Sequence, residues 1–121
     1  MALKPKSQLQ YERNFCDLIS SKGFHAERVA SSGRRQNSVC DAVCFTLAAV
    51  YLTEVKATRA KKYVYKDTKD LIVTAGKVNV KALLAVYFKS THSSQGKGKW
   101  VYKILDNKQM VVRKYDRPDN I

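Results

Sequence analysis

A nine-residue apolar run, Val50–Thr58 (VYLTEVKAT), carries two charges, Glu54 and Lys56, set two positions apart. A run rich in β-branched and aromatic residues reads as a strand, and with a period of two both charged groups leave the same face, where they can meet at one phosphate. A carboxylate and an ammonium in a hydrophobic strand cost free energy unless a partner, a metal or solvent compensates. The stretch is therefore the first candidate for a site, and the rest of the chain is read around it.

At 121 residues, with 45% of them apolar, the chain has the size and composition of one domain with its own core. Its 23 Lys+Arg against 10 Asp+Glu leave a net charge of +13, a field that favours a polyanion. With no long apolar span and no basic amphipathic anchor, nucleic acid ranks above a membrane surface as partner. The N-terminal residues MALKPKSQLQ hold no apolar segment of the secretory type, so an intracellular, cytoplasmic protein is expected. Cys16, Cys40 and Cys44 are odd in number and lack CxxC spacing, which argues against a disulfide framework and a zinc site and for small buried residues.

In chain order, residues 1–7 read as a flexible polar arm. Tyr11, Phe15, Leu18 and Ile19 then recur with helical spacing, which predicts a helix over 8–22 with Ser7 as N-cap and Gly23 as its stop. Glu12 falls near the edge of its apolar stripe. A strand is expected over 24–30, a Ser/Gly/Asn-rich loop with Arg34 and Arg35 over 31–38, and a second strand over 39–47 in which Asp41 shares a face with Val43 and Phe45. A short turn near Ala48 or Ala49 leads into VYLTEVKAT.

Beyond Glu54 come Lys56, Arg59, Lys61, Lys62 and Lys66 without an acidic residue until Asp67, read as one wall of a phosphate-binding groove. A shorter helix is expected over 67–75 with Gly76 as C-cap. The continuous apolar run 82–88 (ALLAVYF) reads as a central, fully buried strand. The glycine-bearing loop 93–99 follows, and then a closing hairpin of strands 100–105 and 110–114 across Asp106 and Asn107. Residues 115–121 read as a loose tail.

On this reading Asp41 lies on one strand and Glu54 and Lys56 on the next strand of a meander. Antiparallel neighbours are about 4.8 Å apart, so the two carboxylates can hold one hard cation between them. Lys56 can then neutralise a scissile phosphate or orient the attacking water. Phosphodiester hydrolysis needs those functions together. Glu12, arriving on the N-terminal helix, can bind a second metal or its waters. The alternative is a surface ion-pair set, which contributes too little to justify charges in apolar strands.

Glu12 on a helix, S-S-G-R-R in a loop, Asp41, and E-V-K at 54–56 occur in an order that resembles the PD-(D/E)xK nuclease superfamily. Within it, the helix and turn Y-E-R-N-F-C-D-L-I-S-S-K-G-F resemble the archaeal Holliday-junction resolvases, including versions carried by archaeal viruses. The likeness covers residues 11–88. One departure is Cys40, where the superfamily pattern has proline.

The resemblance implies an α/β fold: a restriction-endonuclease-like mixed sheet of about five strands with an N-terminal helix and a second short helix. It also implies a homodimer with two active sites that cuts opposed strands of a four-way DNA junction symmetrically, dependent on Mg²⁺ or Mn²⁺ and on no small-molecule cofactor. A viral version would act in the host cytoplasm. Carried across, Asp41, Glu54 and the backbone carbonyl of Val55 bind metal, Lys56 assists the water, and Glu12 completes the acidic set. Ser32, or Ser31 beside it, is the loop serine. Arg34 and Arg35 lie along the junction backbone, with Arg13, Arg59, Lys61 and Lys62 as further DNA contacts. Two other readings are a restriction or repair nuclease of the same superfamily and a catalytically silent basic DNA-binding module.

Overall fold

The computed structural model describes residues 6–29, 40–66, 69–90, 98–106 and 110–121. The expected loop 31–38, with Ser31, Ser32, Arg34 and Arg35, lies outside these residues, as do residues 1–5 of the expected arm, residues 93–97 and Asn107.

Helix α1 (Lys6–Ser21) presents Phe15 and Ile19 to the core, as their spacing requires. The helix already includes position 7, so Ser7 is not its cap. Its C-terminus closes as a Schellman motif: Gly23 N–H bonds the Ser20 carbonyl, Phe24 N–H bonds the Ile19 carbonyl, and Gly23 takes φ of 87°. Strands β1 (His25–Arg28), β2 (Ala42–Phe45) and β3 (Val50–Thr58) run as an antiparallel meander. Strand β4 (Lys62–Tyr65) and helix α2 (Lys69–Lys77) then carry the chain to β5 (Lys81–Phe88), which pairs with β3 in parallel. β6 (Lys99–Leu105) is antiparallel to β5, giving a mixed sheet in the order β1-β2-β3-β5-β6.

Helices cover both faces of the sheet. Phe15 and Ile19 of α1 pack on Val55, Leu83, Ala85 and Tyr102, while Leu71 and Ala75 of α2 pack on Leu84, Val86 and Val101. Burial on both faces explains why β5 is apolar without alternation. The middle of the sheet, however, is β3, with β5 its neighbour.

Four expectations are corrected. Gly76 lies inside α2, which runs on to Lys77; the cap is Asn79, which takes the left-handed conformation (φ 58°) while the Ala75 and Gly76 carbonyls accept from Val80 and Asn79. Asn substitutes for Gly at such caps because its short polar side chain tolerates that region. The basic run after β3 contains a strand, β4, whose Tyr63 and Tyr65 pack on the α2-side core. The last two strands form no hairpin with each other. β7 (Met110–Arg113) pairs with β4 in a separate two-stranded ribbon, where Val112 is buried beneath the apolar face that the tyrosines present.

Nor is the C-terminus loose. Asp119 N–H bonds the Tyr102 carbonyl, its Oδ2 accepts from Ile104 N–H at 2.8 Å, and Lys103 Nζ lies 3.3 Å from its Oδ1. Residue 119 thus covers the free edge of β6, satisfying backbone groups that would otherwise be open to another strand.

Candidate active site

β2 and β3 separate just past the Ala42↔Thr53 pair, and the site forms in that opening. Asp41 remains tied into the sheet by its backbone: its N–H bonds the Thr53 carbonyl at 2.9 Å and its carbonyl accepts from Val29 N–H at 2.8 Å. Its side chain then replaces the next rung of the ladder, with Oδ2 accepting from Val55 N–H at 2.9 Å. This substitution explains why β2 is shorter than its apolar pattern 39–47. It also fixes a buried carboxylate, 9% exposed, beside the backbone of the EVK segment.

Glu54 and Lys56 leave the face opposite Val55, as the strand period requires, and emerge beneath the β4–β7 ribbon. Lys56 Nζ lies 3.6 Å from Glu54 Oε2. Tyr65 of β4 donates its hydroxyl to the same oxygen at 3.2 Å, and Lys56 Nζ stands 5.9 Å from the centre of the Tyr65 ring. Burial, then the charge of Asp41 and a hydrogen bond with its carboxyl, push the Glu54 carboxyl up to about 7, against the opposing pull of Lys56 and Tyr65. Burial and the neighbouring Asp41 charge therefore favour the protonated form of Glu54 near neutral pH.

The donor set suits a hard divalent cation. The Asp41 and Glu54 carboxylates, next to the Val55 carbonyl, offer oxygen ligands only, and a cation there would take the place of the proton that Glu54 holds. Among the described residues no group of three or more His, Cys, Asp or Glu side chains is arranged to hold a metal. That is compatible with Mg²⁺, which is held by one or two carboxylates and fills its remaining positions with water and phosphate.

Glu12 comes from α1. It is fully buried rather than at the edge of the helix stripe, and it approaches β3 from the α1 side of the sheet. Gln8, one turn earlier, joins it to the site: Gln8 Nε2 donates to Glu12 Oε2 at 3.2 Å and to the Val55 carbonyl at 3.1 Å. Arg28 Nη1 lies 3.7 Å from Glu12 Oε1 and compensates its burial.

Gln8, Arg28 and Tyr65 were not anticipated. A Gln at i−4 to a buried Glu is a signal for the first, because that spacing puts both on one helix face. No local signal marks Tyr65, whose role depends on β4 folding back over β3. Arg13, Arg59, Lys61 and Lys62 are exposed. Cys40 and Cys44 are buried, all three cysteines are free, and burial pushes the Cys44 thiol up to about 11, which leaves no reactive thiolate at neutral pH. No helix among the described residues is long and apolar enough to cross a membrane.

No curated protein matches the chain. Among solved structures the fold resembles Archaeoglobus fulgidus Hjc, a Holliday junction resolvase from an archaeal hyperthermophile, with a TM-score of 0.66 and 20% identity, over 86% of this chain and 85% of that one. The family model for archaeal Holliday junction resolvase (hjc) matches residues 4–112, a span that takes in α1, the EVK strand, both helix-covered faces of the sheet and the β4–β7 ribbon up to Val112. On that match, over nearly its whole length, the chain belongs to the archaeal Holliday junction resolvase family.

Proposed function

We propose that this protein is a Holliday junction resolvase whose chemistry is carried by Asp41, Glu54, the Val55 carbonyl and Lys56, working with Mg²⁺ or Mn²⁺. As a member of its family it is an endodeoxyribonuclease that resolves four-way DNA junctions with the help of a divalent metal. The observation that carries the residue assignment is the hydrogen-bonded Asp41–Glu54 carboxyl pair with Lys56 Nζ beside it, 3.6 Å from Glu54 Oε2.

When bound, the cation supplies Lewis acidity towards the phosphate and a lower pKa for water. Asp41 and Glu54 would hold it, Glu54 losing its proton to do so, and the Val55 N–H keeps the Asp41 carboxylate aimed into the opening between β2 and β3. Tyr65 fixes the Glu54 rotamer through Oε2. The Lys56 ammonium, held near Glu54, is positioned either to offset charge on the scissile phosphate or to orient the attacking water. Glu12 acts from the other face, through Gln8, on the orientation of the Val55 carbonyl. Ser32, Arg34 and Arg35 keep the roles that the resemblance implies, a loop serine and two backbone contacts.

Symmetric cuts in opposed strands require two such sites in one complex, which a two-fold homodimer supplies. A DNA substrate places the protein inside the cell, in the host cytoplasm for a viral copy. The test is cleavage of a labelled four-way junction by wild type and Asp41→Asn, alongside binding in EDTA. The variant should bind within a few-fold of wild type and fail to cut; cleavage at the wild-type rate by Asp41→Asn would overturn the assignment. Competition with plain duplex separates a resolvase from a restriction or repair nuclease.

A further inference from the structure

The β4–β7 ribbon brings together two basic segments that are far apart in sequence. Lys62 stands directly opposite Arg113, and the next rung, Lys114 N–H to the Lys61 carbonyl at 2.8 Å, sets Lys61 beside Lys114. Tyr63, Tyr65, Met110 and Val112 turn towards the core, so the alternate residues Lys62 and Arg113 face outward, and both are exposed. Like charges directly opposite each other across two strands are destabilising. Among the described residues no ion pair offsets either one; the nearby Asp116 carboxylate accepts from the Arg113 backbone N–H. Two exposed cations held in register, with the Asp116 carboxylate engaged by a backbone N–H, offer a surface to an anion.

The ribbon is joined to the site by a single strand. At one end of β4, Tyr65 donates to Glu54; three residues away, at the other end, is Lys62. Three strand steps span about 10 Å. That distance is within reach of phosphates adjoining the scissile one. We propose that the outward face of the β4–β7 ribbon is a DNA-backbone contact, in which Arg113 and Lys62, supported by Lys61 and Lys114, hold phosphates of the cleaved strand beyond the scissile one. Arg113 and Lys114 are the new members of the interface. The inference rests on the nuclease reading of the Asp41–Glu54 site and extends it to the C-terminal strand.

The measurement is junction binding by fluorescence anisotropy in EDTA, across a salt series, for the full chain and for Arg113→Gln, Lys62→Gln/Arg113→Gln, Arg113→Lys and the exposed control Lys77→Gln on α2. Each lost phosphate contact should reduce the slope of log K against log salt by about 0.9, so the double variant should lose about twice that. Arg113→Lys should keep the wild-type slope, which separates loss of charge from damage to the fold. A wild-type slope in both Arg113→Gln and the double variant overturns the ribbon inference alone. A flat salt response in the wild type overturns the DNA-binding reading itself. An equal loss in Lys77→Gln shows a diffuse charge effect and also overturns the inference.

Discussion

Replacing Glu54 with glutamine should stop cleavage and at the same time make the metal-free protein more stable above neutral pH. In the folded chain burial and Asp41 raise this carboxyl from 4.5 to about 7. A group whose pKa is raised by folding stabilises the native state below its unfolded value, and that contribution is lost as pH rises through the folded one. The gap between 4.5 and about 7, at about 1.36 kcal/mol for each tenfold change in proton affinity, amounts to about 3 kcal/mol lost between those two pH values. The side chain is only 19% exposed, so solvent screening removes little of it.

Glutamine has the shape of protonated glutamate and can donate to Asp41 at every pH, so the variant should escape the loss. Thermal melts in EDTA provide the assay. At pH 5 the two proteins should melt within a few degrees of each other, and at pH 8 Glu54→Gln should melt higher, by on the order of 10 °C for about 3 kcal/mol in a domain of this size. Adding Mg²⁺ at pH 8 should raise the wild type and leave the variant nearly unmoved, since only a ligand held by the native state stabilises it. If Glu54→Gln melts no higher than wild type at pH 8, the account of a proton held on buried Glu54 is wrong.

Two further variants test the groups around the pair. Tyr65→Phe removes a hydrogen bond that favours the ionised Glu54, so the pH profile of cleavage should move upward and the Mg²⁺ concentration for half-maximal rate should rise several-fold; an unchanged metal requirement would show that Tyr65 only packs. Gln8→Ala takes a donor from buried Glu12 and from the Val55 carbonyl, which should cost about 1–3 kcal/mol in urea unfolding and lower the cleavage rate as well; loss of stability with full cleavage would remove Glu12 from the active machinery.

Much of the site was legible because strand periodicity is a covalent fact: Glu54 and Lys56 must share a face wherever the strand lies. The helix stripe of Phe15 and Ile19, its end at Gly23 and the two-sided burial of β5 were readable for the same reason, since each is local. The end of α2 was misplaced because both Gly76 and Asn79 can close a helix, and local chemistry does not rank them. The partner of β7 was misread because short loops favour hairpins. What overrode that rule was the apolar face of Tyr63 and Tyr65 on β4, which pairs with Val112 and Met110.

The sequence by itself determined the chemistry available, an acid and a lysine on one strand face, a second acid one strand away, and a strong cationic surplus for phosphate. The tertiary structure decided how those groups are used. It placed Asp41 as a rung of the ladder against Val55, routed Glu12 to the opposite face through Gln8, laid Tyr65 on Glu54 and paired Arg113 with Lys62. Each of these depends on contacts between residues distant in the chain, and such contacts follow from the burial of whole faces rather than from the spacing of neighbours.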